Sequence, residues 1–237
     1  MDRPYVICHM LTSVDGKVTG NFLRKAEAAP ATSLYYDINR SYQADAFACG
    51  RVTMEESFTG GWLPNLSGFA GATLAREDYI ANKNAGFFAV AFDRCGRLGW
   101  KTPQIVDDDP GYGKAHIIEV LCEKAPAAYL AYLRSIGISY IFAGQEELDL
   151  SLALGKLKSL FNINRLLLEG GSILNGAFQR ANAVDELSLV MVPTTAEAED
   201  KPLFYRGQLG QYSLKQVKTY SNSALWLNYQ RKEESAL

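Results

Sequence analysis

Three stretches of this chain set polar side chains beside glycines in the way that small-ligand chemistry requires. The first is Thr12-Ser13-Val14-Asp15-Gly16-Lys17. Asp-Gly marks a turn, and that turn gathers Thr12, Ser13, Asp15 and Lys17 at one point. A carboxylate and an ammonium placed there could hold a polar substrate by hydrogen bonds and charge, although a solvated Asp-Gly turn has the same spacing. The second is Gly50-Arg51-Val52-Thr53. A strand-to-helix turn of this kind brings backbone N–H groups and the positive end of a helix dipole together, which suits a phosphate. An arginine beside it can grip that phosphate with two parallel hydrogen bonds. A plain turn with a solvent-facing arginine reads the same way. The third is Glu169-Gly170-Gly171-Ser172. Paired glycines let a backbone approach a ligand closely, while Ser172 would equally serve as a helix N-cap. Ala143-Gly144 forms a further corner. Three glycine corners at three strand ends favour a nucleotide site, yet none has G-x-G-x-x-G or P-loop spacing.

The elements that must carry these corners are apolar runs of strand length alternating with helix-like segments. The runs are 5–11, 46–49, 87–92, 116–121, 139–143, 165–168, 186–192, 213–220 and 224–230. The interior ones are continuous rather than alternating, which predicts strands covered on both faces, as in a parallel sheet. Helices are predicted over 34–43 with Ser33 as N-cap, from Thr53 onward, over 127–135 after Pro126 and ending at Gly137, over 148–160, and over 172–180. The last two strands have only Tyr220-Ser221-Asn222-Ser223-Ala224 between them, a hairpin loop. The fold class is therefore α/β, mostly parallel, with an antiparallel C-terminal hairpin. The Gly-rich stretch 59–75, containing Trp62 and Pro64, is a loop of the length that lids and interface arms have. The corners at 50, 144 and 170 then fall at strand ends, where open α/β sheets bind ligands.

Composition limits the classes of function. Hydrophobic residues are 48% and charged residues 21% of 237 residues, the balance of a globular protein. A net charge of −2 supplies no basic field for nucleic acid or an anionic membrane. No apolar stretch reaches the length of a membrane span and no signal peptide is apparent, so a cytoplasmic location is expected. Cys8, Cys49, Cys95 and Cys122 are scattered, with no C-x-x-C and no zinc-deaminase signature. Cys8, Cys49 and Cys122 lie in or beside apolar runs and read as buried reduced thiols; no metal site is expected.

Taken together, Asp15-Gly16-Lys17 after an apolar first strand, Gly50-Arg51-x-Thr53 and Leu166-Leu167-Leu168-Glu169-Gly170-Gly171-Ser172-Ile173-Leu174-Asn175 resemble the pyrimidine reductases of riboflavin biosynthesis. Val184-Asp185-Glu186-Leu187-Ser188-Leu189 and Val192-Pro193 fit the same pattern, and Gly50-Arg51-Val52-Thr53-x-Glu55 also resembles dihydrofolate reductase, which shares the fold. The resemblance implies one reductase domain over residues 1–237, of dihydrofolate-reductase-like fold and without the deaminase half. It implies an NADPH-dependent enzyme that reduces 5-amino-6-(5-phosphoribosylamino)uracil by hydride transfer, working as a homodimer. Gly50, Arg51, Thr53 and Gly144, with Gly170, Gly171, Ser172, Leu174 and Asn175, would hold NADPH. Thr12, Ser13 and Lys17 would face a pyrimidine or pterin-like substrate, and Asp15 or Glu169 would handle the proton. Arg24, Lys25 or Arg40 could bind a substrate phosphate. Another heterocycle such as dihydrofolate, or a module that binds NADPH without catalysis, fits the same motifs.

Overall fold

Strands form where β-branched and aromatic side chains suit a pleated, covered surface. In a computed structural model, which describes residues 2–232, each expected strand lies within one residue of its predicted ends. In chain order the elements are β1 (Tyr5–Thr12), α1 (Ala29–Ser41), β2 (Ala46–Gly50), α2 (Arg51–Met54), β3 (Phe88–Phe92), β4 (His116–Leu121), α3 (Ala127–Ser135), β5 (Ser139–Phe142), α4 (Leu150–Phe161), β6 (Arg165–Leu168), α5 (Ser172–Arg180), β7 (Glu186–Met191), β8 (Tyr212–Thr219) and β9 (Leu225–Arg231). The chain divides into two compact units, one of Met1–Pro4 with Ala44–Leu166 and one of Tyr5–Gln43 with Leu167–Leu237.

In the first unit β2, β3, β4 and β5 pair in that order, all parallel. Phe47, Val90, Ile118 and Tyr140 are completely buried in these strands, as the unbroken apolar runs predict. Helix α3 makes the β4-to-β5 crossover with Pro126 at its N-cap, and Gly137, at φ +73°, follows its end. Helix α4 starts at Leu150 rather than 148, because Asp149 caps it by accepting the N–H of Leu152 at 3.0 Å. A π-helical turn, Glu55–Thr59, ends at the start of the stretch 59–75, which is otherwise irregular apart from one turn at Ser67–Phe69.

In the second unit β1 and β7 are parallel, and β9 and then β8 add antiparallel beyond β7. The turn at 220–224 closes the hairpin, with the Tyr220 N–H bonded to the Ala224 carbonyl at 3.0 Å. Phe22, Ala28, Ala31 and Ile38 form a core with Val190, Val192 and Ala224. Helix α1 begins five residues before the expected start. Pro30 sits in its first turn, where a fixed φ and a missing N–H cost nothing, so Ala28 suffices as cap. The Ser33 hydroxyl instead donates back to the Ala29 carbonyl inside the helix, at 3.2 Å. Strand β6 spans the division between the units, and its far end leads to Glu169. Among the described residues no helix is long and apolar enough to cross a membrane.

Candidate functional site

The corner after β6 is built by glycine. Gly170 has φ +102°, a conformation L side chains rarely adopt. A Cβ there would also press on the Met10 methyl at 3.3 Å. Gly171 is the N-cap of α5 and brings no side chain to cap it, so the first amides of a nine-residue helix are left for another acceptor. Ser172 opens the helix as expected but is not its cap; its hydroxyl donates to the Pro202 carbonyl. Asn175, fully buried one turn on, donates Nδ2 to the Leu203 carbonyl at 3.3 Å, and its Oδ1 has no hydrogen-bond partner. A buried carbonyl oxygen without a donor is costly, so this atom suits a ligand N–H. Leu174 is half-buried beside it. Glu169, 8% exposed, accepts a hydrogen bond from the side-chain amide of Asn39, which is 4% exposed on α1.

The Asp15 turn lies in the same unit and is tied to the same corner by one segment, residues 194–205. Ser13 and Thr12 are buried. The Ser13 hydroxyl donates to Asp15 Oδ1 at 2.6 Å, and the Ala196 N–H donates to the same oxygen at 3.1 Å. These hydrogen bonds, that of Ser13 foremost, hold the Asp15 carboxyl below the usual range. Asp15 is therefore ionised at neutral pH and suited to accept hydrogen bonds rather than to donate a proton. Lys17 directs Nζ at the carbonyls of Asp200 and Ala198, at 2.8 and 3.2 Å. Backbone bonds from Val14 to Thr194 and from Val18 to Lys201 complete the clasp. The same segment then supplies the Pro202 and Leu203 carbonyls to Ser172 and Asn175. Gly20 sits at φ +123°, a conformation L side chains rarely adopt, and a Cβ there would also displace the Asp200 carboxylate, whose Oδ2 lies 2.0 Å away.

The first unit carries the remaining predicted residues. Gly50 caps α2 in an extended conformation, and Thr53 lies half-buried on the helix. The Arg51 guanidinium pairs with Glu55 one turn on, so an incoming phosphate would share it with that carboxylate. Gly144, at φ +116°, is demanded by its own loop: a Cβ would meet the Glu147 carbonyl at 2.1 Å. Close by in sequence to these strands, the buried Asp93 accepts the N–H groups of Arg97 and Leu98 and fixes the turn after β3. Cys8, Cys49 and Cys122 are buried free thiols, and Cys95 is a half-buried one. Among the described residues no three His, Cys, Asp or Glu side chains are grouped to hold a metal ion.

Sequence reasoning missed Asn39 and the segment 194–205. Asn39 contacts a residue 130 positions away, and the segment acts largely through backbone carbonyls, which every residue has. The place of Asn39 inside a helix, a poor helix former on a buried face, is the one signal that could have found it.

The strands and helices define an α/β protein of dihydrofolate-reductase-like fold with a glycine-cornered site at the end of β6. The profile of the RibD C-terminal domain matches residues 92–226. The 2,5-diamino-6-ribosylamino-4(3H)-pyrimidinone 5′-phosphate reductase of Aquifex aeolicus (strain VF5) is 30% identical over 214 residues, 88% of this chain and 85% of that protein. The enzyme of the same name from Methanothermobacter thermautotrophicus is 27% identical over 87% of this chain and 85% of its own length. Among solved structures, a pyrimidine reductase-like protein from Corynebacterium diphtheriae superposes with a TM-score of 0.69 at 17% identity, over 98% of this chain and 93% of that one. The chain belongs to the RibD C-terminal domain family.

Proposed function

We propose that this protein is an NADPH-dependent reductase of the riboflavin pathway, acting on a ribosylamino-pyrimidine 5′-phosphate. The observation that carries the reading is the 30% identity to a reductase of that substrate class along 88% of the chain. Both curated relatives are named for the 2,5-diamino-4(3H)-pyrimidinone form, so that form is the first substrate to offer, ahead of the uracil form that the sequence motifs imply. Both forms carry the amine-linked ribose phosphate, and they differ at ring position 2.

The second unit offers what a reduced nicotinamide cofactor needs. The uncapped start of α5 presents amides for an anionic group, and Asn175 Oδ1 awaits an N–H donor. Gly170, Gly171, Ser172, Leu174 and Asn175 are the residues assigned to hold the cofactor there. Gly50, Arg51 and Thr53 of the first unit are assigned to cofactor phosphates, and Gly144 to the cofactor. When bound, the cofactor supplies a hydride to an electrophilic carbon; an amine-linked ribose opens to an imine, whose carbon can accept it. The protein's own part is alignment and charge. Asp15, kept ionised, accepts hydrogen bonds from the substrate, flanked by Thr12, Ser13 and Lys17. Glu169, the buried carboxyl at the strand end, handles the proton that balances the hydride.

The chain works as one reductase domain over residues 1–237 and as a cytoplasmic homodimer. Support for the dimer comes from β8, which pairs only with β9 among the described strands and exposes Leu214 and Val217. The free cysteines agree with a reducing compartment. The test is direct: purified protein is mixed with NADPH and each pyrimidine, and loss of reduced-nicotinamide absorbance is followed. Turnover with either pyrimidine phosphate supports the reading. Turnover with dihydrofolate alone, or tight NADPH binding with no turnover, overturns it.

A further inference from the structure

We propose that Glu119 is held as a neutral carboxylic acid inside the first unit, and that this acid latches the loop of Trp62 by way of residues 98–100. Glu119 lies in β4 and is completely buried. Its Oε1 accepts the indole N–H of Trp100, and its Oε2 has no hydrogen-bond partner. The hydroxyl of Tyr129, on α3, lies 3.2 Å from the same Oε1. That hydroxyl has a single proton to give, and the Leu98 carbonyl stands closer, at 2.8 Å. A carbonyl can only accept, so it takes the Tyr129 proton. The Tyr129 oxygen then meets Glu119 as an acceptor, and the contact is satisfied when Glu119 brings a proton of its own. A carboxylate in its place would be a buried ion supported by one indole N–H, which is costly.

The surrounding charges favour the neutral form. Asp93, buried just past β3, bears on Glu119 with like charge. Asp93 accepts the N–H groups of Arg97 and Leu98, so it is the better placed of the two to stay ionised. Burial pushes the Asp93 carboxyl up too, against the pull of those donors and of Arg51. From β5, Tyr140 stands beside Glu119 in register, its hydroxyl accepting from Arg134 of α3 at 2.8 Å. Arg134 also faces Glu77. Tyr132 of α3 donates to the Trp100 carbonyl. Burial first, and Asp93 second, push the Glu119 carboxyl well above the usual range.

What hangs on this acid is the stretch 59–75, the loop of lid length. A Cβ on Gly99 would overlap the Trp62 carbonyl, 1.6 Å away, so the loop backbone rests directly on residue 99. Lys101 places Nζ 5.3 Å from the centre of the Trp62 ring, and Phe69 packs edge-on against Tyr132 at 5.9 Å. Residues 98–100 are therefore held from within by Glu119, Tyr129, Tyr132 and Asp93, and they carry the loop on their other side. Loss of the Glu119 proton to a base in solvent reverses the arrangement. A carboxylate is a stronger acceptor than a carbonyl, so Tyr129 turns its proton to Glu119 and the Leu98 carbonyl loses this donor. A second negative charge then faces Asp93. Glu119 regains water only when residues 98–100 lift away, and the loop goes with them.

Amide hydrogen exchange on the full chain, read by mass spectrometry from pH 7 to 8.5, tests this. In an opened segment Glu119 ionises near its ordinary value, about 4.3, while in the closed one it keeps its proton. Each pH unit above the ordinary value therefore favours opening by roughly tenfold until the closed form ionises too. Wild type and Glu119→Gln are compared after division by the intrinsic exchange rates. In wild type the opening constants of residues 97–101 and 59–69 are expected to rise about thirtyfold over this range. In Glu119→Gln, which has no proton to lose there, they are expected to stay level. Glu119→Leu serves in its place if the glutamine variant does not fold. Wild-type opening constants that ignore pH overturn the inference, as does the same rise in a variant without the carboxyl. A rise shared equally by β4 and β5 means that Glu119 is exposed only when the whole unit opens, and it overturns the latch.

Discussion

At residue scale the protein separates glycines that its own packing demands from a glycine whose backbone conformation any residue can adopt. Gly20 and Gly144 would drive a Cβ into Asp200 Oδ2 and into the Glu147 carbonyl; their substitution would disturb the fold whatever bound nearby. Gly171 is different. Its backbone is extended, at φ −73° and ψ −175°, a conformation any residue adopts. A valine there costs α5 a good N-cap, about 1 kcal/mol, which for a chain of this size lowers the melting temperature by roughly 2–4 °C. Its branched side chain would stand over the uncapped amides. Gly171→Val is therefore expected to weaken NADPH binding by at least about tenfold, or roughly 1.4 kcal/mol, with little loss of stability. Calorimetric titration of NADPH checks this, and unchanged affinity would remove α5 from the cofactor site. The polar residues around the Asp15 turn were legible as a cluster, because an Asp-Gly turn after an apolar strand is a local pattern. Their partners were not, because Lys17 meets the Asp200 carbonyl 183 residues away.

At the scale of elements, the strands could be read from sequence because they are long apolar runs bounded by glycine and polar residues. Helix α1 could not be read to its true start, since Ala28 gives no capping signal and the first turn rests on Pro30. The same helix covers a buried polar site on β1. His9 is completely buried, stacked on Tyr35 with ring centroids 4.2 Å apart. Its Nε2 lies 2.9 Å from the Tyr35 carbonyl, which can only accept, so Nε2 carries the proton. Nδ1 then accepts from the Ser188 hydroxyl at 2.9 Å, whose oxygen accepts from the Trp226 indole N–H, also at 2.9 Å. Burial pushes the imidazole down to about 4. In the unfolded chain His9 takes a proton near pH 6.5, while in the folded chain it stays neutral until about pH 4. Its contribution to stability is thus full above the unfolded value and is lost as pH falls through that window. Denaturant unfolding of wild type and His9→Gln across pH 4–7.5 is expected to give a stability difference that shrinks on acidification. A difference constant across this range would contradict a neutral His9.

At the scale of the whole molecule, the two units are not successive segments of chain. The first is drawn from Met1–Pro4 and Ala44–Leu166, the second from Tyr5–Gln43 and Leu167–Leu237, and β6 contributes to both. Neither is a continuous piece that could be excised at a linker. The proposed single domain and homodimer accordingly predict one cooperative unfolding transition, with a midpoint that rises with protein concentration. Two separated transitions would argue for independent domains, and a midpoint indifferent to concentration for a monomer.

The reaction itself can be checked by stoichiometry. Protein, NADPH and 2,5-diamino-6-ribosylamino-4(3H)-pyrimidinone 5′-phosphate are incubated together, cofactor oxidation is followed, and the pyrimidine is recovered for mass analysis. One NADPH is expected to be oxidised for each pyrimidine that gains two hydrogens. NADPH left unoxidised with this substrate and with its uracil counterpart would contradict it.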